Sequence, residues 1–277
     1  PGGRHGHTCA VGDESEDAGQ LDLRAATTDP DPGDIDRASY RLTGAAPEGV
    51  DVSLDGSVLK AKVTSAQRGT SGRVGIQVDD GRGGKADGTV EVRVVRSTRP
   101  LAVANPDAVP DAQAGKPVDI PVLANDANPF PGKPLTVVRA GVGSGGGDAR
   151  VEGDHVVVTP ASGFHGQLTG TYRVGDATGD TEREVEGTFT VTVRDKPDAP
   201  SAPVVDGMSS RQVVLHWTPP SNNGAEISAY RVNYAGGSQT CPTTTCTVTG
   251  LTNGTKYTFT VVATNAVGDS APSPASS

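Results

Sequence analysis

The acidic segment Asp29-Pro-Asp31-Pro-Gly-Asp34-Ile-Asp36 is the best candidate in this sequence for a site that binds an ion. Its closely spaced carboxylates supply the hard oxygen ligands that Ca²⁺ prefers. The segment lacks the length and the final Glu of an EF-hand loop, and its two prolines stiffen the turn without ensuring that the oxygens converge. Two interpretations stay open: a calcium site formed by Asp29, Asp31, Asp34 and Asp36, and a solvated acidic turn.

A second group of metal-ligand types stands near the start of the chain. His5, His7 and Cys9 alternate as in a strand, which would place three zinc ligands on one side. Structural zinc sites normally use four ligands, so the pattern favours an ordinary strand. Residues 141–147 are rich in Gly but lack the Gly-Lys-Ser/Thr ending and following helix of a phosphate loop. We expect a flexible hairpin there.

The sequence predicts no catalytic site and, apart from calcium, no cofactor. His155, His165 and His216 are far from one another in the sequence, and no serine beside them lies in a nucleophile-elbow pattern. Three further acidic residues are expected in hairpin turns: Asp79, Asp80 and Asp176.

Cys241 and Cys246 are five positions apart across a Pro-Thr-Thr-Thr segment, a spacing that a tight loop can bring to disulfide distance. The alternative is two free thiols, but no His or acidic residue beside them suggests metal binding or catalysis. A bridge here would close a small ring and stabilise the fold by about 2 kcal/mol. It also predicts an oxidising, extracellular environment. Cys9 is then left without a partner in this sequence.

Composition narrows the class of protein. The chain has 277 residues, with Gly 37 and Pro 21 spread between short apolar runs, which is typical of a β-protein with many turns. The net charge is −9: residues 1–98 carry 16 acids and 12 bases, residues 99–198 carry 14 and 9, and residues 199–277 carry 3 and 3. This acidity disfavours nucleic acid as a partner. No apolar run of about 18 residues predicts membrane insertion in this stretch.

The first two thirds of the chain contain an internal repeat at a separation of about 97 residues. The matching segments are, in pairs, 22–33 with 119–132, 76–83 with 172–179, and 88–94 with 187–193. Apolar residues alternate within them, which predicts strands with one buried face, as in antiparallel sandwich sheets. Further predicted strands are Leu21–Leu23, Val58–Val63, Val118–Val122 and Val156–Val158. About seven strands per copy is the size of an immunoglobulin-like sandwich.

Two short joins that contain proline separate the predicted domains. Residues 97–100 read Ser-Thr-Arg-Pro, and residues 195–200 read Asp-Lys-Pro-Asp-Ala-Pro. Proline biases such joins toward extended, semi-rigid geometry. We therefore predict an all-β chain of three tandem β-sandwich domains in an extended rod: 1–97, 98–196 and 197–277.

The second copy carries a specific resemblance. Residues 122–137, VLANDANPFPGKPLTV, resemble the opening of the tandem Ig-like, cadherin-like repeats of large modular surface proteins of actinobacteria. Residues 20–96 look like a divergent relative that lacks the hydrophobic "VLAN" core, and residues 29–36 resemble the acidic turns of such repeats. The resemblance implies an Ig-like fold, a bacterial source and a role as stalk or adhesive module.

The last third resembles fibronectin type III domains along nearly its full length. The resemblance is carried by residues 197–203, 213–217, 229–232 and 251–259. Three residues are assigned to the structural core, with the tyrosine also expected to tie a turn to its strand as a tyrosine corner: Trp217, Leu251 and Tyr257.

These features together predict a non-catalytic fragment of a secreted or cell-surface protein. Because the chain opens on Pro1 without Met, we expect targeting and anchoring segments to lie elsewhere. The predicted role is a stalk or spacer with an adhesion or protein-interaction function; its partners would be neighbouring domains and an unknown protein or cell-envelope component. The alternative is an accessory linker region of a secreted polysaccharide-degrading enzyme. Only ten aromatic residues are present and most are expected in the core, which weakens direct glycan binding.

Overall fold

The computed structural model describes residues 7–12, 18–28, 35–66 and 68–276, and in these ranges its regular secondary structure is almost entirely β-strand. The predicted all-β class of tandem Ig-like sandwiches is confirmed. Helical turns in the described residues are limited to three short 3₁₀ segments: η1 (Leu23–Ala26), η2 (Ile35–Arg37) and η3 (Thr181–Arg183).

Backbone contacts divide the chain into two compact units. Unit 1 comprises Pro1–Val103, Ala127–Thr136 and Gly175–Val185, and unit 2 comprises Ala104–Asp126, Val137–Val174 and Glu186–Ser277. We call strands β1 to β7 the first sandwich, β8 to β14 the second and β15 to β20 the third, with bounds given below. Unit 1 thus joins the first sandwich to two segments that follow it in the sequence. The predicted domain boundaries stay predictions.

The first sandwich has two sheets in its described residues, ordered β1-β7-β6-β3 and β2-β5-β4. Its strands are β1 (His7–Val11), β2 (Gly19–Asp22), β3 (Ser39–Leu42), β4 (Val50–Asp55), β5 (Val58–Val63), β6 (Ser71–Asp79) and β7 (Lys85–Val94). Alternation places Val74, Ile76, Val90 and Val92 in a core that both sheets line. The core forms because period two turns every second side chain to the same face.

The second sandwich repeats this plan, with sheets ordered β10-β13-β14-β8 and β11-β12-β9. Its strands are β8 (Asp107–Gln113), β9 (Val118–Ile120), β10 (Thr136–Ser144), β11 (Gly147–Glu152), β12 (His155–Pro160), β13 (Gly166–Gly175) and β14 (Val185–Arg194). Tyr172, Val174, Phe189 and Val191 are buried, as their alternation predicts.

One strand pair in each of these sandwiches is parallel, which the sequence analysis did not anticipate. β1 pairs in parallel with β7, and β8 pairs in parallel with β14. Alternating hydrophobicity reports which face of a strand is buried, whereas strand direction leaves no mark on that pattern. The antiparallel arrangement that the alternation suggested therefore does not hold for the pairing of the first strand with the last strand in each copy.

The Gly-rich segment 141–147 is not the hairpin that we predicted. β10 and β11 lie in different sheets, so the chain crosses from one sheet to the other over two residues. Gly147 has a φ of +147°, and a Cβ there would lie 2.6 Å from the carbonyl oxygen of Thr159. The crossing thus needs glycine because the backbone of β12 approaches it closely.

The third sandwich has two three-stranded sheets, ordered β15-β16-β19 and β18-β17-β20. Its strands are β15 (Val204–Ser209), β16 (Gln212–His216), β17 (Ala229–Tyr234), β18 (Gly237–Cys241), β19 (Thr245–Thr249) and β20 (Phe259–Thr264). Leu215, Trp217, Val232 and Val261 belong to its core.

The segment after β20 is not a β-strand, but it bonds to that strand. Ser270, Ser273 and Ser276 each donate a backbone N–H to a carbonyl of β20, at 2.8 Å in every case. Their hydroxyl oxygens accept the N–H groups of Ala263, Val261 and Phe259 in turn, at 2.9 to 3.1 Å. Serine at every third position therefore lines the edge of β20, a spacing that matches the three-residue turn of a polyproline II segment.

Candidate functional site

The predicted calcium segment lies mostly outside the described residues. Asp29, Asp31 and Asp34 are not among them, while Asp36 is exposed within η2. The calcium site stays a prediction.

Of the candidate zinc group, only Cys9 has a described side chain. His5 lies outside the described residues and the side chain of His7 is not described, whereas Cys9 is buried at 3% exposure in the first core. Burial raises the pKa of the Cys9 thiol. Across the described ranges, no group of three or more His, Cys, Asp or Glu side chains is placed to hold a metal.

Cys241 and Cys246 form a disulfide with a Cα to Cα distance of 5.7 Å. Cys241 ends β18 and Cys246 lies in β19, so the bond joins the two sheets of the third sandwich. The loop between them is tied to the residue that follows β16, because the backbone N–H of Trp217 donates to the carbonyl of Thr244 at 3.1 Å. The bridge therefore fixes a sheet-to-sheet crossing.

The predicted core residues of the third sandwich lie around this crossing and on the adjoining turn. Trp217 and Leu251 are buried, and the Trp217 ring meets Tyr230 edge-on with centroids 5.4 Å apart. The hydroxyl oxygen of Tyr257 accepts the backbone N–H of Thr252 at 3.1 Å. This bond ties the turn before Tyr257 to the aromatic ring, the geometry that a tyrosine corner requires.

Asp79 and Asp80 cap the turn between β6 and β7. Asp79 accepts the N–H of Gly81 at 2.9 Å, and Asp80 accepts those of Arg82 and Gly84 at 2.7 and 2.9 Å. The bond from Gly81 holds the pKa of Asp79 below its usual value. Both residues thus act in the turn, as predicted.

Asp176 is also in a turn, but it has a second role that the sequence did not reveal. It forms a buried ion pair with Arg183, whose Nε and Nη2 lie 2.8 Å from Asp176 Oδ2. The guanidinium also donates to the carbonyls of Arg99 and Pro100 at 3.0 and 2.8 Å and lies over the Phe130 ring. A buried Arg in this setting holds the polypeptide join at residues 99–100.

Surface charges support the same join within unit 1. Arg68 of the first sandwich lies 3.3 Å from Asp180 and 3.0 Å from Glu182. Arg96 pairs with the same two carboxylates. All four side chains are at least partly exposed to solvent, so each pair contributes little by itself, about 0 to 1 kcal/mol. Together the ion pairs form a network that holds residues 175–185 against the first sandwich.

The second join, at residues 195–198, is held by two asparagines of the third sandwich. The Asn223 amide donates to Lys196 O at 2.7 Å and to Asp198 Oδ1 at 3.0 Å. The Asn265 amide donates to Asp195 O at 2.8 Å. Both asparagines are buried, and a buried amide that lost these partners would pay a desolvation cost. Neither join is therefore a free linker.

Tyr172 forms a polar cluster inside the second sandwich. Its hydroxyl oxygen lies near four acceptor oxygens: 3.1 Å from Asn105 O, 3.0 Å from Val122 O, 3.0 Å from Asp107 Oδ2 and 3.5 Å from Asp126 Oδ1. The ring fits because Gly187 on β14 has no side chain; a methyl there would overlap it.

Burial raises the pKa of both carboxyl groups in this cluster, and the charge of Asp126 raises that of Asp107 further. The pKa of Tyr172 is raised by burial and by its hydrogen bond to Asp107. The sequence held one signal for the cluster, because a Tyr at a buried strand position needs a partner for its hydroxyl. Nothing in the spacing identified which residues would supply it.

All ten aromatic side chains of the protein are buried or partly buried. None of the ten rings is more than partly exposed. Among the described residues, no helix has the length and apolar character needed to cross a bilayer.

Two family models match the chain. The model described as bacterial Ig domain matches residues 98–194, and the model described as fibronectin type III domain matches residues 198–277.

Several solved structures are similar over all or part of the chain. Domains A168–A170 from titin match 87% of this chain and 86% of their own at 20% identity, with a TM-score of 0.38. The titin kinase with its flanking domains matches at 36% identity over 30% of this chain and 16% of that chain, with a TM-score of 0.28. A chitinase from Bacillus thuringiensis matches at 28% identity over 29% of this chain and 13% of that chain, with a TM-score of 0.27.

Proposed function

Because this chain carries a bacterial Ig domain followed by a fibronectin type III domain, we propose that it is a non-catalytic spacer and interaction module of a secreted or cell-surface bacterial protein. Domains of these two families are typically non-catalytic and serve as modular spacers. The stalk role, the adhesive role and the extended rod are the finer parts of this proposal.

The joins carry the argument for a spacer. At residues 195–198 the backbone carbonyls of Asp195 and Lys196 accept bonds from Asn265 and Asn223. The backbone also closes on itself there, since Asp195 N donates to Asn223 O at 3.0 Å. A spacer keeps its two ends at a defined distance only if the joins between its domains adopt few conformations. Each net hydrogen bond stabilises one such conformation by about 1 kcal/mol.

The disulfide supports the extracellular part of the proposal. Disulfides persist in oxidising compartments and are rare where glutathione keeps thiols reduced. The bond between Cys241 and Cys246 stabilises a crossing in the core of the third sandwich, so the reduced protein would be less stable than the oxidised one.

The alternative proposal is an accessory linker region of a secreted polysaccharide-degrading enzyme. It requires the same stiff joins and no site in this chain. The remainder of the gene separates the two: a sorting or membrane anchor favours the surface stalk, and an adjoining hydrolase domain favours the accessory region.

The spacer role is tested by the distance distribution between two spin labels in unit 2. Labels at Glu152 and Lys256, both exposed, would be introduced through a ketone amino acid that leaves the native cysteines unmodified. Double electron–electron resonance should give one narrow distribution of the distance between the two labels. The double variant Asn223→Ala/Asn265→Ala should widen it at least about twofold, because the join loses its side-chain donors.

Asn253→Ala is the matched control. Asn253 bonds to Arg211 and Ser210 in a turn of the third sandwich and does not contact the join. Its loss should leave the distribution unchanged. A broad distribution in the unmodified protein would contradict the spacer role.

A further inference from the structure

Donors and acceptors do not balance around Tyr172. A phenol has one proton and donates one hydrogen bond, yet four acceptor oxygens surround this hydroxyl group. Two of the four are carbonyl oxygens, which cannot take up a proton at ordinary pH. The other two belong to the carboxyl groups of Asp107 and Asp126, which can.

The shortage of hydrogen-bond donors is clearest at Asp126. Its Oδ1 accepts the backbone N–H of Asn105 at 2.8 Å, but its Oδ2 is buried and has no hydrogen-bond partner. Asp107 shares the Tyr172 hydroxyl, whose oxygen lies 3.0 Å from Asp107 Oδ2. A buried carboxylate oxygen without a donor carries an uncompensated desolvation cost. A proton on one carboxyl group would turn one of these acceptors into a donor.

We propose that the folded second sandwich binds one proton between Asp107 and Asp126, so that folding of this sandwich takes up a proton. The pair, and not either residue alone, is the binding site, because two interacting carboxyl groups titrate together. This inference is independent of the spacer role, because the proton site lies inside the second sandwich and does not depend on how stiff the joins are.

The groups that face the pair come from each element around it. β8 contributes Asp107, the segment after β9 contributes Asp126, and β13 contributes the phenol of Tyr172. β14 contributes Gly187, which has no side chain. Negative charges that face one another in a partly desolvated site favour the protonated form of one of them.

The sign of the pH dependence follows. Burial raises the pKa of both carboxyl groups in the folded state above the unfolded value of about 3.9. The stabilisation is therefore fully present below the unfolded pKa and is lost as pH rises through the folded pKa. The second sandwich should be more stable at mildly acidic pH than at neutral pH, relative to a variant that needs no proton.

The direct test is a carboxyl ¹³C NMR titration of the full chain, with Asp107→Asn and Asp126→Asn used to assign the two signals. One step of the pair should have a midpoint at least about one pH unit above the ordinary value of about 3.9, a tenfold gain in proton affinity. If both carboxyl groups titrate at or below that value, the proposal is wrong.

Stability gives a second test. Urea unfolding of the second sandwich would be followed by hydrogen exchange of β13 peptides at pH 4 and pH 7. In Asp126→Asn the amide replaces the protonated carboxyl, so the folding constant of the unmodified protein relative to this variant should fall at least about fivefold from pH 4 to pH 7. The ratio to Asp148→Asn, which removes an exposed carboxylate of β11, should stay constant.

A cation is the competing occupant, and the same experiment distinguishes it. Repeating the pH 7 measurement with millimolar Ca²⁺ and with EDTA should give the same stability. If Ca²⁺ stabilises the protein and Asp126→Asn abolishes that stabilisation, the site binds a metal ion and not a proton, and the proposal is wrong. If the Asn variants do not fold, the two carboxyl signals of the unmodified protein are assigned by through-bond NMR instead, and their titration still decides.

Discussion

Arg183→Ala is the substitution that tests the join at residues 99–100 most severely. The side chain of Arg183 is 4% exposed and that of Asp176 is 1% exposed, so the pair is fully desolvated. Truncation removes both contacts to Asp176 and both bonds to the carbonyls of Arg99 and Pro100. Asp176 keeps bonds from the N–H and the hydroxyl group of Thr178.

The expected loss of stability depends on the contacts that Asp176 keeps after the substitution. Removing one partner of a buried ion pair leaves an uncompensated charge and costs about 3 to 5 kcal/mol. The Thr178 bonds relieve part of the charge on Asp176, which places the expected cost near the lower end, about 3 kcal/mol. Arg183→Met/Asp176→Asn should recover about half of it, because neutral groups replace both charges. Arg150→Ala is the control, since its partner Glu152 and the Arg itself are more than half exposed and such pairs contribute at most about 1 kcal/mol.

The assay is native-state hydrogen exchange in urea, with peptides from β13 and β14 as reporters of the second sandwich. Fluorescence of Trp217, the single tryptophan, reports the third sandwich and should not change. A loss below about 1 kcal/mol for Arg183→Ala, or an equal loss for Arg150→Ala, would refute the view that the buried pair holds the join.

Three further substitutions have defined outcomes. Replacing Cys241 and Cys246 together by Ala should lower the urea stability of the third sandwich by about 2 kcal/mol, read from tryptophan fluorescence. Gly187→Ala should cost about 1 to 3 kcal/mol, because the methyl overlaps the buried tyrosine of β13, whereas Gly143→Ala, with its nearest neighbour at 3.7 Å, should cost less than 1 kcal/mol in the same hydrogen-exchange assay. Ser273→Ala should cost about 1 to 3 kcal/mol, since a buried N–H of β20 loses its acceptor; an unchanged urea midpoint would contradict this.

Side-chain alternation made much of the fold predictable. Val74, Ile76, Val90 and Val92 fill the first core because period two fixes the buried face, and the same rule placed Phe189 in the second. Strand direction was not predictable from that rule. The pairing of β1 with β7 depends on which strands meet across the sheet, and no local pattern encodes it.

Residues of the joins and the proton site were not predictable because their partners are distant in sequence. Arg183 lies 84 positions from Arg99, whose carbonyl it holds, and Tyr172 lies 65 positions from Asp107. The repeat does not help, since Ile76 occupies the position of Tyr172 in the first copy and needs no hydroxyl partner. Polar sites of this kind arise from tertiary contacts between unlike segments, which a single sequence does not report.

The serine segment after β20 has a pattern that differs from that of a strand. Serine recurs at residues 270, 273 and 276, which is period three and not two. Pro272 and Pro274 have no N–H, so the segment cannot extend a sheet further. The hydroxyl groups instead supply the acceptors that a neighbouring strand would have supplied. The β20 edge is thereby closed to strand addition, and any partner that binds the third sandwich by adding a strand must use another edge, such as β15 or β18.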